Sequence, residues 1–187
     1  MAIDNTIPNR PIASLFLKIA ALFESIVRKV SAICCWSSAL LVLVIILNVI
    51  MRYGFENGLI IFEEIQWHLY AIGIMFGLSY AEITNAHVSV DLLSERFKPN
   101  TKRFWEIFGT LFFVFPFIFV ILFNSWDYIE ASYRLNESSV SPLGLPMRWL
   151  IKSAIPASFI LLAMAVTTRL IRNVVAMITS TDTEEPS

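Results

Sequence analysis

Charge, histidine, cysteine and glycine are all scarce in this chain, and each scarcity closes off a function. Its 187 residues include two histidines, two cysteines and six glycines, and only 16% are charged. His68 and His87 lie 19 positions apart. On one helix that is roughly 28 Å at 1.5 Å per residue, too far for both to ligate one metal or one haem iron. Cys34 and Cys35 are adjacent, so their side chains diverge and do not bridge. A metal site would need further ligands, and the pair reads as small apolar packing residues. The glycines form no phosphate-binding loop, and neither a nucleophile elbow nor a zinc spacing occurs. A net charge of −1 gives no argument for nucleic acid. No catalytic residue, metal site or cofactor is expected.

Where charge is missing matters more than how much is missing. Soluble domains carry about a quarter charged residues; here 57% are hydrophobic. Residues 30–51 run 22 positions without a charge, 65–81 run 17, 107–126 run 20 and 153–168 run 16. The last run lengthens if Lys152 snorkels to the surface. A helix needs about 20 apolar residues to cross the hydrocarbon core. The expected fold is therefore an all-α integral membrane domain over 1–187, with four transmembrane helices at 30–51, 64–81, 106–126 and 150–168. The first run is too long, and its surroundings wrong, for a cleaved leader, so it reads as a retained anchor.

Residues 12–29 show an amphipathic stripe: Ile12, Leu15, Phe16, Ile19, Phe23 and Ile26 recur at three- and four-residue steps, with Lys18, Glu24, Arg28 and Lys29 mostly opposite. This predicts an interfacial helix in the headgroup plane. Four spans put both termini on one side. That side collects 10 of the 14 lysines and arginines and the other side 4, which places the termini in the cytoplasm. The second loop, HVSVDLLSERFKPN, predicts a short amphipathic turn ended by Pro99. The third loop, 127–149, carries Pro142, Gly144 and Pro146 and predicts an ordered turn. The tail, 176–187, is polar.

Polar groups inside the spans are few. Asn48, His68, Ser158 and Thr167 are the main ones, with no charge in the middle of any span. No pair of Gly/Pro-broken helices marks a midplane substrate site. Ser153, Ala154, Ala157, Ser158, Ala163 and Ala165 would let the fourth span approach another helix closely. Span three is phenylalanine-rich nearly all round. These features predict a subunit that packs against something larger and does not itself hold a transported solute. A membrane anchor for an oxidoreductase, or a small channel formed by self-association, would have a similar inventory.

The order of features is informative. One span ends in NVIMRY (Asn48–Tyr53), a short loop leads to Glu63 and Glu64, the next span ends in FGLSYA (Phe76–Ala81), and HVSVD follows (His87–Asp91). In this order, over residues 30–172, the chain resembles the DctQ-like small membrane subunit of tripartite ATP-independent periplasmic (TRAP) transporters. It departs from the common pattern at Phe62, where members often carry Trp, and in the longer NESSVSPLGLPMRW loop. The resemblance implies a small scaffold subunit of a Na⁺-coupled organic-acid importer in a bacterial inner membrane. Its partners would be a large multi-span subunit, a periplasmic substrate-binding protein and membrane lipids. The expected partner-interface residues are Arg52, Tyr53, Glu63, Glu64, His87, Asp91, Arg148 and Trp149.

Overall fold

A computed structural model describes the backbone of residues 11–56, 58–84, 99–139, 141 and 144–182, and the side chains of all but 11–13, 99–100 and 179–182 of these. Every regular element among them is helical: α1 (Pro11–Gly54), α2 (Ile60–Ile83), α3 (Pro99–Gly109), a π-helical turn (Thr110–Val114), α4 (Phe115–Arg134) and α5 (Arg148–Asp182). Three stretches are long and apolar enough to cross a membrane: Ser14–Gly54, Thr101–Arg134 and Arg148–Ile178. The chain is an all-helical membrane protein. The expected span at 64–81 falls within a helix, α2, whose 24 residues measure roughly 36 Å, but α2 is not one of these three stretches. Gln66, Trp67, His68 and Tyr70 dilute its N-terminal half, so by composition it falls short of the other three.

The predicted break between a surface helix at 12–29 and a span at 30–51 does not occur. α1 is one helix of 44 residues, because no glycine or proline stands between Pro11 and Gly54 to interrupt it. It is roughly 66 Å long, about twice the hydrocarbon core. Pro11 occupies its first position, where a missing N–H costs nothing. The third apolar run is also longer than expected. α3, the π turn and α4 follow one another without a gap from Pro99 to Arg134. Pro116 cannot donate to the carbonyl four residues back and its ring crowds that carbonyl; the π turn immediately before it takes up the misfit.

α4 continues to Arg134, so the connection to α5 shortens from the expected 127–149 to 135–147. α5 continues to Asp182, so the start of the polar tail is helical; residues 183–187 lie outside those described. Most of the HVSVDLLSERFKPN segment, at 87–98, does so too.

α5 is the hub. It packs on α1, α2, α3 and α4, while α1 and α2 form an antiparallel pair beside it. What it buries differs from a soluble core. The buried apolar residues are Ala20, Val27, Val44, Phe76, Ile118, Ala165 and Val166; as many buried residues are polar, namely Ser31, Asn48, Ser79, Ser125, Ser132, Ser158 and Thr168. Large side chains such as Ile33, Trp36, Phe113, Phe119 and Phe123 point outward. Lipid tails are as apolar as leucine, so nothing drives bulky side chains inward; close backbone approach and inter-helix hydrogen bonds do the packing. Gly73 of α2 sits against Ser37 and Ser38 of α1, so close that an added Cβ would lie 3.1 Å from both hydroxyls. Ser79 Oγ donates to the Ser158 carbonyl at 3.5 Å, and Thr168 Oγ1 donates to the Ala20 carbonyl at 3.4 Å.

Candidate functional site

Two polar clusters cap the bundle, one at each end. The first joins the start of α2, the connection 135–147 and the start of α5. Glu64, one turn into α2, turns its carboxylate onto that connection. Oε1 accepts from Ser139 Oγ and Oε2 accepts from the Leu145 N–H at 2.5 Å. Gly144 makes this possible: a Cβ there would run into Ser139 and the Glu64 carboxylate. One turn on, His68 Nδ1 donates to the Glu64 carbonyl at 2.5 Å. A cavity of about 330 Å³ lies between these elements, lined by Glu63, Glu64, Trp67, His68, Ser139 and Arg148 among others.

Glu137 clasps the same connection from the other side. Its Oε2 accepts from Lys152 Nζ and from Ser132 Oγ, the latter at 2.7 Å, and its Oε1 lies 3.5 Å from Arg148 Nη1. Its backbone carbonyl accepts the Arg148 N–H at 3.1 Å, and its own N–H reaches the Ser132 carbonyl at 3.0 Å. The Lys152 ammonium also stands 4.0 Å over the Tyr128 ring, a cation–π contact. Hydrogen bonding by Lys152 first, then by Ser132, holds the Glu137 carboxyl below its ordinary pKa, outweighing the small upward push of desolvation. Two residues here have left-handed backbone, Asn136 at φ 45° and Met147 at φ 64°. Asparagine tolerates this; methionine pays on the order of 1–2 kcal/mol for it.

The second cluster ties four helices together. Arg169 of α5 reaches Glu82 of α2 at 3.1 Å and Glu106 of α3 at 3.6 Å. Arg172, one turn on, pairs with Glu24 of α1, which also takes Arg28 at 2.8 Å. Asn173 Nδ2 donates to Glu106 at 2.9 Å. These residues border a cavity of about 190 Å³. Among the described residues, no group of three or more His, Cys, Asp or Glu is arranged to hold a metal ion.

The expected interface residues divide accordingly. Arg52 and Glu63 face each other at 3.7 Å across the α1–α2 corner, both well exposed, with Tyr53 exposed beside them. Glu64 and Arg148 belong to the clasp, and Trp149 packs edge-on against Tyr133 with ring centres 5.6 Å apart. His87 and Asp91 lie outside the described residues. Sequence reasoning missed Glu137 and Lys152 as partners, and missed the Glu24–Glu82–Glu106–Arg169–Arg172 network entirely. The available signal was that Glu82, Glu106, Lys152 and Arg169 each adjoin a charge-free run directly; Glu24, Glu137 and Arg172 stand farther from one and carried no such mark.

Residues 41–176, well over half the chain, match the family described as tripartite ATP-independent periplasmic transporters, DctQ component. This chain belongs to the DctQ family. It is also 28% identical over 141 residues to a Haemophilus influenzae protein whose name describes a TRAP transporter small permease protein; the match covers 75% of this chain and 84% of that one. The DctQ match begins at Leu41, within α1, and ends at Ala176, within α5. Both polar clusters except Glu24 and Arg28 therefore lie inside the family region.

Proposed function

We propose that this DctQ component is the fixed scaffold subunit of a Na⁺-coupled importer of organic acids in a bacterial inner membrane. It supports a large multi-span subunit that carries the ion and solute sites and helps seat a periplasmic substrate-binding protein. α2 serves as the fourth span beside the three longer helices, and both termini face the cytoplasm. The clasp around Glu64 and Glu137 then lies on the periplasmic side and the Arg169 network on the cytoplasmic side.

One observation carries this reading: the apolar surface of the long helices is left uncovered by the chain itself. In the most apolar window of Thr101–Arg134, 6% of residues are buried. A helix that is apolar all round and packs on little of its own chain is suited to lipid and to helices of another subunit. The polar groups at the seams, by contrast, are mostly spent on neighbouring backbone: Ser125, Ser158, Thr167 and Thr168 each bond a carbonyl three or four residues back.

Purification of the tagged chain in mild detergent tests this. A polytopic protein of much greater size should accompany it, and proteoliposomes should take up solute only when that protein and a binding protein are added. Solute transport by this chain alone would overturn the reading, as would a coloured cofactor or a homo-oligomer in place of the large partner.

A further inference from the structure

Among the described residues, four buried side-chain atoms have no hydrogen-bond partner: Ser31 Oγ, Ser37 Oγ, Asn48 Oδ1 and Gln66 Nε2. The two serines can be satisfied within α1, because a hydroxyl turns onto a carbonyl three or four residues back, as those of Ser125 and Ser158 do. The amides are different. Asn48 Oδ1 needs a donor, and every backbone N–H in the middle of a helix is already spent on the carbonyl four residues back. Asn48 is only 9% exposed and stands in the charge-free run 30–51, where an unpaired amide is costly.

Both amides lie on the seam between α1 and α2. Gly73 of α2 meets Ser37 of α1 there. Asn48 follows Ser37 by eleven residues, and Gln66 precedes Gly73 by seven. At about 100° per residue each falls about 20° from the same face. Their levels agree as well. One turn in from the Arg52–Glu63 pair, α1 presents Asn48 and α2 presents Gln66. The seam also widens toward this level. At Gly73 an added Cβ would lie 3.1 Å from two hydroxyls. At the corner the gap is spanned by an arginine and a glutamate, and these still end 3.7 Å apart.

The occupant of this level is fixed by what the two side chains lack. It must donate to Asn48 Oδ1 and accept from Gln66 Nε2. A metal cation meets the oxygen but not the amide N–H, and an anion meets the N–H but not the oxygen. The neutral group that does both, and is small enough for a site closed to solvent, is water. We infer that Asn48 and Gln66 together hold one buried water between α1 and α2. The water pins the seam at a second point beyond Gly73, as a single polar contact fixes the register of two apolar helices. That keeps Arg52 opposite Glu63. The site does not depend on which end of the bundle faces the periplasm, nor on the partner proposed above.

The test images the full-length chain, in the complex with which it purifies, at a resolution where buried waters elsewhere are visible. A density peak within about 3 Å of both amide ends is expected. Direct contact between Asn48 and Gln66, a lipid or partner group at that point, or an empty gap each overturns the inference. A mutant cycle reads the same site by melting temperature. Asn48→Leu and Gln66→Met each remove one polar end at similar volume. Each single variant strands the remaining amide and should melt lower by roughly 3 °C or more. The double variant leaves neither amide behind and should lose less than the two losses summed. Additive losses, or single variants that melt as wild type does, show that the two ends share nothing and also overturn it. Should a variant fail to assemble, the wild-type density decides alone.

Discussion

Glu137 shows how one side chain fixes a segment that repeated patterns do not govern. It accepts from Lys152 and Ser132 and faces Arg148, and those bonds favour its ionised form. The folded state therefore binds a proton more weakly than the unfolded chain does. The stabilisation is complete above the ordinary carboxylate pKa and is lost as pH falls through the lowered folded value. Protease cutting within 135–147 should accordingly stay flat from neutral pH down to the ordinary carboxylate range and climb only below it. Glu137→Gln should cut at neutral pH as wild type does in acid. Equal cutting of both proteins at neutral pH would show that the carboxylate does not hold the connection.

Among the elements, α1 and α5 depend on what their narrow faces leave out. On α1 the buried or half-buried positions Ala20, Glu24, Val27, Ser31, Cys34, Ser37, Leu41, Val44 and Asn48 recur every three or four residues. This is close to the 3.5-residue spacing of packed helices. On α5 the buried positions are Ser158, Ala165, Val166 and Thr168. Small side chains here set the inter-helix distance, so added volume should be felt while lost volume on the outer face should not. Ser158→Leu should destabilise the detergent-solubilised chain by about 1–3 kcal/mol, the usual cost of overpacking. Phe113→Leu, on the lipid-facing side, should leave the melting temperature nearly unchanged. A neutral Ser158→Leu would mean that α2 does not approach α5 as closely as the Ser79–Ser158 bond requires.

For the whole molecule, the ionic network around Arg169 joins what the spans alone would leave loosely associated. Arg169 bridges carboxylates from α2 and α3, and Arg172 brings in α1. Arg169 is partly exposed and its pairs are screened by water, so Arg169→Ala should cost only about 1 kcal/mol. The loss should shrink as salt rises, because screening already weakens the wild-type pairs. A loss that does not depend on salt would identify packing by the arginine stem as the cause.

Much of this architecture was legible in the residues themselves. Charge-free runs of about 20 residues have one stable place, and their lengths and spacing led to helices that cross a bilayer. The ordered motifs from Asn48 to Asp91 led to the DctQ family. Even the continuity of α1 was open to reading, since the absence of glycine and proline over 42 residues (12–53) permits a single helix; the amphipathic stripe at 12–29 drew attention away from it. What only the tertiary structure decided was which charges meet. Glu64 and Leu145 are 81 residues apart, and Glu24 and Arg172 are 148 apart. Hydrophobic patterning acts along each helix separately and is satisfied by lipid on any side. The partner of a charge at a helix end, by contrast, depends on which other end arrives beside it, and the packing of small residues along α5 settles that.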